Sequence, residues 1–570
     1  MTSDNGQTRR SVLGALAALG VGSTAFQRAV AQQAAIRGAI DAEMIEQAEW
    51  VAGVTLPEGD RAGVAAAVAR VLRKREQLYE VEIGYDELPS LRFDPEAADP
   101  DAARRASQCP AHLESCKPKP AAPKADDGWS WLTIRQLGLA LRTGAVTSVG
   151  LTEYFLNRLK ELNVVLKCVV TLTEDLAYRQ AERADKELAA GKDRGPLHGI
   201  PWGAKDLIAV TGYPTTWGAP QFKDQTLEET ATVAQKMEAA GAVLIAKLSL
   251  GALAMGDRWF GGQTRNPWNP RQGSSGSSAG SASAVSAGAL PVALGSETLG
   301  SIVSPSKRCG VTGLRPTFGR VSRAGCMSLS WSMDKIGPIA RSVDDCGIVF
   351  DVLNGRDPAD PTTVDRWFEW PMKADLKGLQ VGRVENVRKT PEEERLLGIL
   401  EECGANIVPV RLPDEFSEWA LTVMLDAEAA AVFHPLVAEN NLDGINSWSQ
   451  IFQKMHYFTA VDYLHAARVR SRLMKLMHGV FDTVDVYVGS GDLGITNLTG
   501  HPTVVQPVLK SEGEYSQPQC ATLSSRLYDE ATLLAMASIV EDKVQPGQWR
   551  PTIEMPKPAV EESSAIDDDN

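Results

Sequence analysis

Two textures alternate along this chain. Short apolar runs such as Ala242-Val243-Leu244-Ile245-Ala246 and Val484-Asp485-Val486-Tyr487-Val488 are separated by Ala- and Glu-rich stretches. Short apolar runs of this kind fit strands buried on both faces, and their alternation with helices predicts an α/β sheet covered by helices on both sides. Gly378-Leu379-Gln380-Val381-Gly382 predicts a further strand of the same type. Ser148 reads as the cap of a helix whose Leu151, Phe155, Leu159 and Leu162 recur on one stripe. Nearer the start, residues 41–54 and 60–79 predict two helices. Ile45, Ala48 and Val51 line the first, and Val64, Val68, Val71 and Leu72 line the second. Asp41 and Asp60 stand where N-caps belong, and Pro57-Glu58-Gly59 breaks the pair into an N-terminal helical hairpin. This hairpin falls in an accessory segment, 32–93. Residues 94–128 hold Pro110, Pro118, Pro120 and Pro123 with few large apolar side chains, the composition of a linker. The acidic end, 557–570, predicts a solvated tail.

At 570 residues the chain is too long for one average domain. A net charge of −14 argues against a nucleic-acid partner. The seven histidines form no paired motif and no Cys-x-x-Cys occurs, so no metal site and no cofactor are expected. Cys109 and Cys116 are the one close cysteine pair, compatible with a small disulfide or with two free thiols. The other six cysteines read as small buried apolar residues. Arg9-Arg10 precede a mild apolar run from Val12 to Phe26, followed by Ala29-Val30-Ala31. Those three features in order predict a twin-arginine signal peptide over 1–31 and a periplasmic or secreted enzyme. The competing reading is a tail that happens to contain two arginines. No later stretch is apolar enough to predict membrane insertion after cleavage.

The chemistry lies in three blocks. Lys205 ends Gly195-Pro196-Leu197-His198-Gly199-Ile200-Pro201-Trp202-Gly203-Ala204-Lys205. A Gly/Ser loop follows, Gly273-Ser274-Ser275-Gly276-Ser277-Ser278-Ala279-Gly280-Ser281. Glu297-Thr298-Leu299-Gly300-Ser301 comes last. Alone, the loop would read as a flexible linker. It sits, however, between Asn266-Pro267-Trp268-Asn269-Pro270 and an Ala-rich helical run leading to a strand-like Pro291-Val292-Ala293-Leu294-Gly295. The order and spacing of the blocks resemble the amidase signature family of hydrolases. Gly313-Leu314-Arg315-Pro316, Gly337-Pro338-Ile339-Ala340 and Asn497-Leu498-Thr499-Gly500-His501-Pro502 extend the resemblance over 129–556.

The resemblance implies a central mixed sheet, a Ser–cis-Ser–Lys triad and no metal. It makes Ser301 the nucleophile, Lys205 the base and Ser277 the bridge, joined to Gly276 by a cis peptide. Ser278 becomes a supporting hydroxyl. Counting from the first Gly-Ser-Ser instead would place the bridge at Ser274. Backbone amides from Thr298 to Ser301, through Leu299 and Gly300, can converge as an oxyanion hole. Where the family shows Gly-Gly-Ser, this chain has Leu299-Gly300-Ser301, which narrows the approach for substrate. A lysine base must be neutral, which takes its pKa from ~10.4 to about 7–8 by burial. The alternative for Lys205 is an exposed pair with Asp206. A histidine base has little support, since His198 belongs to the turn that introduces the lysine strand.

Three functions compete on these residues. One is an exported amidase that cleaves small-molecule carboxamides through an acyl-serine. Another is the glutaminase (A) subunit of an aminoacyl-tRNA amidotransferase. The last is a non-catalytic envelope scaffold that kept the fold. The sequence leaves open whether the chain forms a homo-oligomer.

Overall fold

The computed structural model describes residues 40–52, 58–66, 68, 91–117, 128–455, 458–489 and 491–555. The predicted signal peptide and acidic tail lie outside the described residues. The architecture is α/β, organised on one eleven-stranded mixed sheet. Its strands, labelled within this sheet, are β1 (Val169–Leu172), β2 (Pro201–Lys205), β3 (Val243–Leu248), β4 (Val292–Glu297), β5 (Thr312–Arg315), β6 (Lys335–Ala340), β7 (Gln380–Val384), β8 (Asn406–Val410), β9 (Val486–Gly489), β10 (Thr503–Lys510) and β11 (Pro518–Ser525). They lie in the order β8-β7-β9-β11-β10-β5-β6-β4-β2-β3-β1. β2 runs parallel to both β3 and β4, and β7 runs parallel to β8 and β9. The other ladders are antiparallel.

Every residue of β2, β3 and β4 is buried. That is why these strands read as mostly apolar runs: helices cover the sheet, and none of their positions faces water. The helix Ala279–Ser286 packs on β2, β4 and β6, and the helix Glu530–Val544 packs on β10 and β11. The expected strands at 378–382 and 484–488 are present as β7 and β9, each displaced by one or two residues.

The helix Ser148–Leu166 buries Leu151, Phe155, Leu159 and Leu162 as its spacing predicts, but Ser148 is not its cap. Thr147 caps it, accepting the Gly150 N–H at 3.0 Å. Ser148 lies inside the first turn, where its N–H donates to Asp185 and its hydroxyl to the Gly199 carbonyl at 3.0 Å. Either residue can cap a helix. The tertiary partners of Ser148 decide the register.

At the N-terminal end the helix Ala42–Ala52 starts behind Asp41, which accepts the Met44 N–H at 2.9 Å. Of the second expected helix, residues 61–66 and 68 are described and helical; the remainder lies outside the described residues. Arg61 reaches back to Glu49 at 2.8 Å and Glu46 at 2.9 Å.

The stretch read as a linker is anchored over its first part. Residues 113–115 pair antiparallel with Met372–Ala374. The Trp367 N–H donates to the Ala106 carbonyl at 2.8 Å, and His112 Nε2 lies 2.8 Å from Thr532 Oγ1. Backbone pairing and single side-chain anchors hold this strap, so its composition carries little apolar signal. Residues 118–127 lie outside the described residues. All eight cysteines are free thiols. Five are buried, Cys116 and Cys403 are half-buried and Cys109 is exposed.

Candidate active site

β2 delivers Lys205 into the interior at its C-terminal end, between β3 and β4. The side chain is fully buried. Its ammonium donates to Ser277 Oγ at 2.7 Å, Ser296 Oγ at 2.8 Å, Ser278 Oγ at 3.1 Å and the Ser296 carbonyl at 3.4 Å. Burial pushes its pKa down to about 7, against the opposing pull of Asp334 and Glu297. Among the described residues no carboxylate touches it. Asp206, the neighbour with which an exposed lysine would pair, faces Lys247 at 2.8 Å and accepts the Thr216 N–H at 3.0 Å. Ser296 is the functional contact that the sequence did not reveal. It is one serine in a buried strand, and only the β2–β4 pairing brings it to the lysine.

The Gly/Ser loop lies across this end of the sheet. Its Gly276–Ser277 peptide is cis. A Cβ at Gly276 would run into the Gly256 carbonyl, so only glycine fits. Ser275, at φ 61°, donates its N–H to Asp257 Oδ2 at 3.0 Å. The Ser278 hydroxyl accepts the Ser296 N–H and donates to the Ser296 carbonyl, each at 3.1 Å. This staples the loop to β4. Of the two candidate bridges, Ser277 meets the lysine. The Ser274 hydroxyl donates instead to the Ser275 carbonyl at 2.9 Å.

β4 then leads into the turn that carries Ser301. Glu297, the last residue of the strand, accepts the N–H groups of Ile302 at 2.8 Å and Val303 at 2.9 Å on one oxygen. Its other oxygen receives Arg315 at 2.8 Å and Asn497 at 2.7 Å. Burial alone would raise this carboxyl, but the Arg315 charge and these donors hold it at about 2. Thr298 donates to Asp334 Oδ1 at 2.6 Å, and Asp334 Oδ2 takes the Leu329 and Ser330 N–H groups. Burial raises the Asp334 pKa.

Gly300 stands at φ 83°, a conformation that favours glycine, and its carbonyl receives the Ser304 N–H at 2.7 Å. The turn leaves the N–H groups of Leu299, Gly300 and Ser301 without an acceptor among the described residues. Ser301 joins the Gly/Ser loop through its carbonyl, which receives the Ser278 N–H at 3.1 Å. Its hydroxyl makes no hydrogen bond among the described residues, and the residue is 8% exposed. Lys205 and Ser277 are thus in direct contact, with Ser301 held against the same loop and its hydroxyl uncommitted.

His198 is engaged elsewhere. Its Nδ1 accepts the Arg194 N–H at 3.1 Å and its Nε2 lies 3.2 Å from Glu187. Burial lowers its pKa.

Comparison with known proteins agrees with this geometry. Residues 150–490 match the family model described as Amidase. The (A) subunit of glutamyl-tRNA(Gln) amidotransferase from Chloroflexus aurantiacus is 32% identical over 492 residues, 74% of this chain and 98% of that one. Its namesake from Roseiflexus sp. (strain RS-1) is 39% identical over 316 residues, 53% of this chain and 64% of that one. The solved peptide amidase of Stenotrophomonas maltophilia superposes with a TM-score of 0.66 at 28% identity, covering 76% of this chain and 99% of that one. A bacterial aryl acylamidase of the amidase signature enzymes shares the fold at a TM-score of 0.65 and 20% identity, over 73% of this chain and 97% of that one. A matched region that spans more than half the chain, on a sheet that brings the lysine and the serine-rich blocks together, places this protein in the amidase signature family.

Proposed function

We propose that the chain hydrolyses a carboxamide C–N bond through an acyl-Ser301 intermediate, with Lys205 as base and Ser277 as proton bridge. One observation carries the reading: a buried lysine, free of any carboxylate contact among the described residues, is hydrogen-bonded at 2.7 Å to Ser277, whose neighbour Ser278 donates its N–H to the Ser301 carbonyl at 3.1 Å. The amide carbon is a poor electrophile, so the nucleophile must lose its proton as it attacks. In the proposed sequence Ser301 Oγ bonds to the carbonyl carbon while its proton passes through Ser277 to neutral Lys205. The negative charge on the former carbonyl oxygen is met by the amides of the Thr298–Ser301 turn, which are fixed before the reaction begins. The C–N bond then breaks as the proton returns to the departing amine. A water molecule repeats the attack on the ester and frees Ser301.

The second reading, the glutaminase component of an amidotransferase, is the one the curated relatives favour, because the alignment with the Chloroflexus protein spans almost all of it. The chemistry at Ser301 is the same in both. They differ in where the released ammonia goes, to solvent or to a partner that loads it onto an aminoacyl-tRNA. Ser301→Ala tests what they share. The variant should fold normally and lose turnover on every amide that the native enzyme cleaves; hydrolysis at the native rate would remove Ser301 from the mechanism. Ammonia release from glutamine and from peptide amides, with and without partner subunits and glutamyl-tRNA, separates the two.

A further inference from the structure

We propose that Phe93, just ahead of the strap and before the residues matched to the family, is a positioning residue for the Ser301 turn and acts through Arg470. This inference rests on the acyl-Ser301 reading. Phe93 lays its ring on the buried Arg470 guanidinium, whose carbon lies 3.6 Å from the ring centroid. With that face covered, the guanidinium N–H groups are directed in-plane. They donate to the Leu498 carbonyl at 2.5 Å, Ser332 Oγ at 2.8 Å and the Ser332 carbonyl at 2.8 Å. Ser332 in turn donates its hydroxyl at 2.6 Å and its N–H at 3.0 Å to Glu428, which also receives Ser330 at 2.7 Å and Tyr463 at 2.8 Å. The Leu329 and Ser330 N–H groups of this loop hold Asp334, and Asp334 holds Thr298 at the start of the nucleophile turn.

A second route reaches the other end of the same turn. The Phe93 ring packs edge-on against Phe318 at 5.0 Å, and Phe93 and Pro95 close over Gly500. The Gly500 carbonyl receives the Phe318 N–H at 3.1 Å. The next residue, His501, gives its carbonyl to Arg315, which binds the Glu297 that holds the Ile302 and Val303 amides. The two routes grip Thr298 from one side and residues 302–303 from the other. Between them stand the three uncommitted amides and Ser301.

The chain of contacts has two discrete ends, so replacing the ring should alter nucleophile geometry without touching Lys205. The test reads nucleophile poise directly, as the rate at which Ser301 is phosphonylated by a serine-directed fluorophosphonate. In that step Ser301 Oγ bonds to phosphorus, fluoride leaves and the serine proton passes to Lys205. Phe93→Ala and Phe93→Leu should both slow labelling about tenfold, because small displacements of a nucleophile cost rate steeply. Phe93→Tyr, which keeps a ring face over the cation, should stay within about twofold. On an amide substrate the loss should appear in kcat with KM little changed. Thermal unfolding of each variant is followed in parallel. Labelling of a folded Phe93→Leu at the native rate, or equal slowing in Phe93→Tyr, overturns the positioning role. If the native enzyme itself is not labelled at Ser301, the acyl-enzyme reading fails instead, so the two failures are distinguishable.

Discussion

Lys205 is active in this scheme only as the free amine, and the protein makes that form accessible by burying it among hydroxyls. The sign of the pH dependence follows. Below its folded pKa of about 7 the lysine is protonated and cannot take the Ser301 proton; above it the base is present. The rate should rise with pH through one ionisation near 7, and it should do so with chelator present. A flat profile across that range would remove the lysine as base. Stability carries the complementary signature. Between about 7 and the unfolded value of ~10.4, the unfolded chain holds a proton that the folded one has lost, so this group adds stability as pH rises through that window. Lys205→Met should abolish that rise, as read in denaturation midpoints from pH 6 to 10. The bridge is tested by its neighbour. Ser277→Ala should lower kcat by about 10²–10⁴-fold, the usual worth of a positioned proton-transfer group, whereas Ser274→Ala should cost little because, among the described residues, its hydroxyl serves only the Ser275 carbonyl. Equal effects would contradict the Ser277 assignment.

Among the elements, the turn between β4 and the helix Val303–Cys309 depends on distant partners. Glu297 holds its amides, and Arg315 of β5 and Asn497 hold Glu297. Glu297→Gln keeps the size but leaves Arg315 buried beside a neutral partner. It should destabilise the fold by about 3–5 kcal/mol, as when one member of a buried ion pair is removed. The carboxyl is held at about 2, below its unfolded value, so its contribution is present above pH ~4.3 and fades as pH falls toward 2. The variant should therefore lose most at neutral pH and converge on the native protein in acid, as urea titrations at the two pH values would measure. The same turn marks the limit of what the sequence discloses. β2, β3 and β4 were legible because strands covered on both faces are mostly apolar, and Lys205, Ser277 and Ser301 stood in recognisable blocks. Ser296, Asp334 and the pairing of Glu297 with Arg315 were not, because each gains meaning only when remote segments meet across the sheet. Thr147 and Ser148 are both competent caps, so local pattern could not choose between them. The strap at 94–117 has the composition of a linker because a few anchors fix it where a core would otherwise be needed.

For the whole molecule, everything the proposed acyl transfer requires is contributed by one chain: base, bridge, nucleophile and the amides for the oxyanion. The purified protein should therefore release ammonia or amine from a simple carboxamide without any partner. Strict dependence on added subunits and glutamyl-tRNA would favour the amidotransferase reading that the relatives suggest. Location bears on the same choice. We propose export on the order of features in residues 1–31, with Arg9-Arg10 ahead of a mild apolar run and a small-x-small site ending at Ala31. An eleven-stranded sheet with strands from residue 169 to 525 depends on pairings far apart in sequence, which form slowly and leave edges exposed meanwhile. A route that carries the chain already folded suits such a topology. The exported protein should begin near Gln32, and replacing Arg9-Arg10 with Lys-Lys should retain the full-length precursor in the cytoplasm, as fractionation and N-terminal mass determination would reveal. An enzyme found cytoplasmic, active and still beginning at Met1 would defeat the export proposal and put it where an aminoacyl-tRNA partner is within reach.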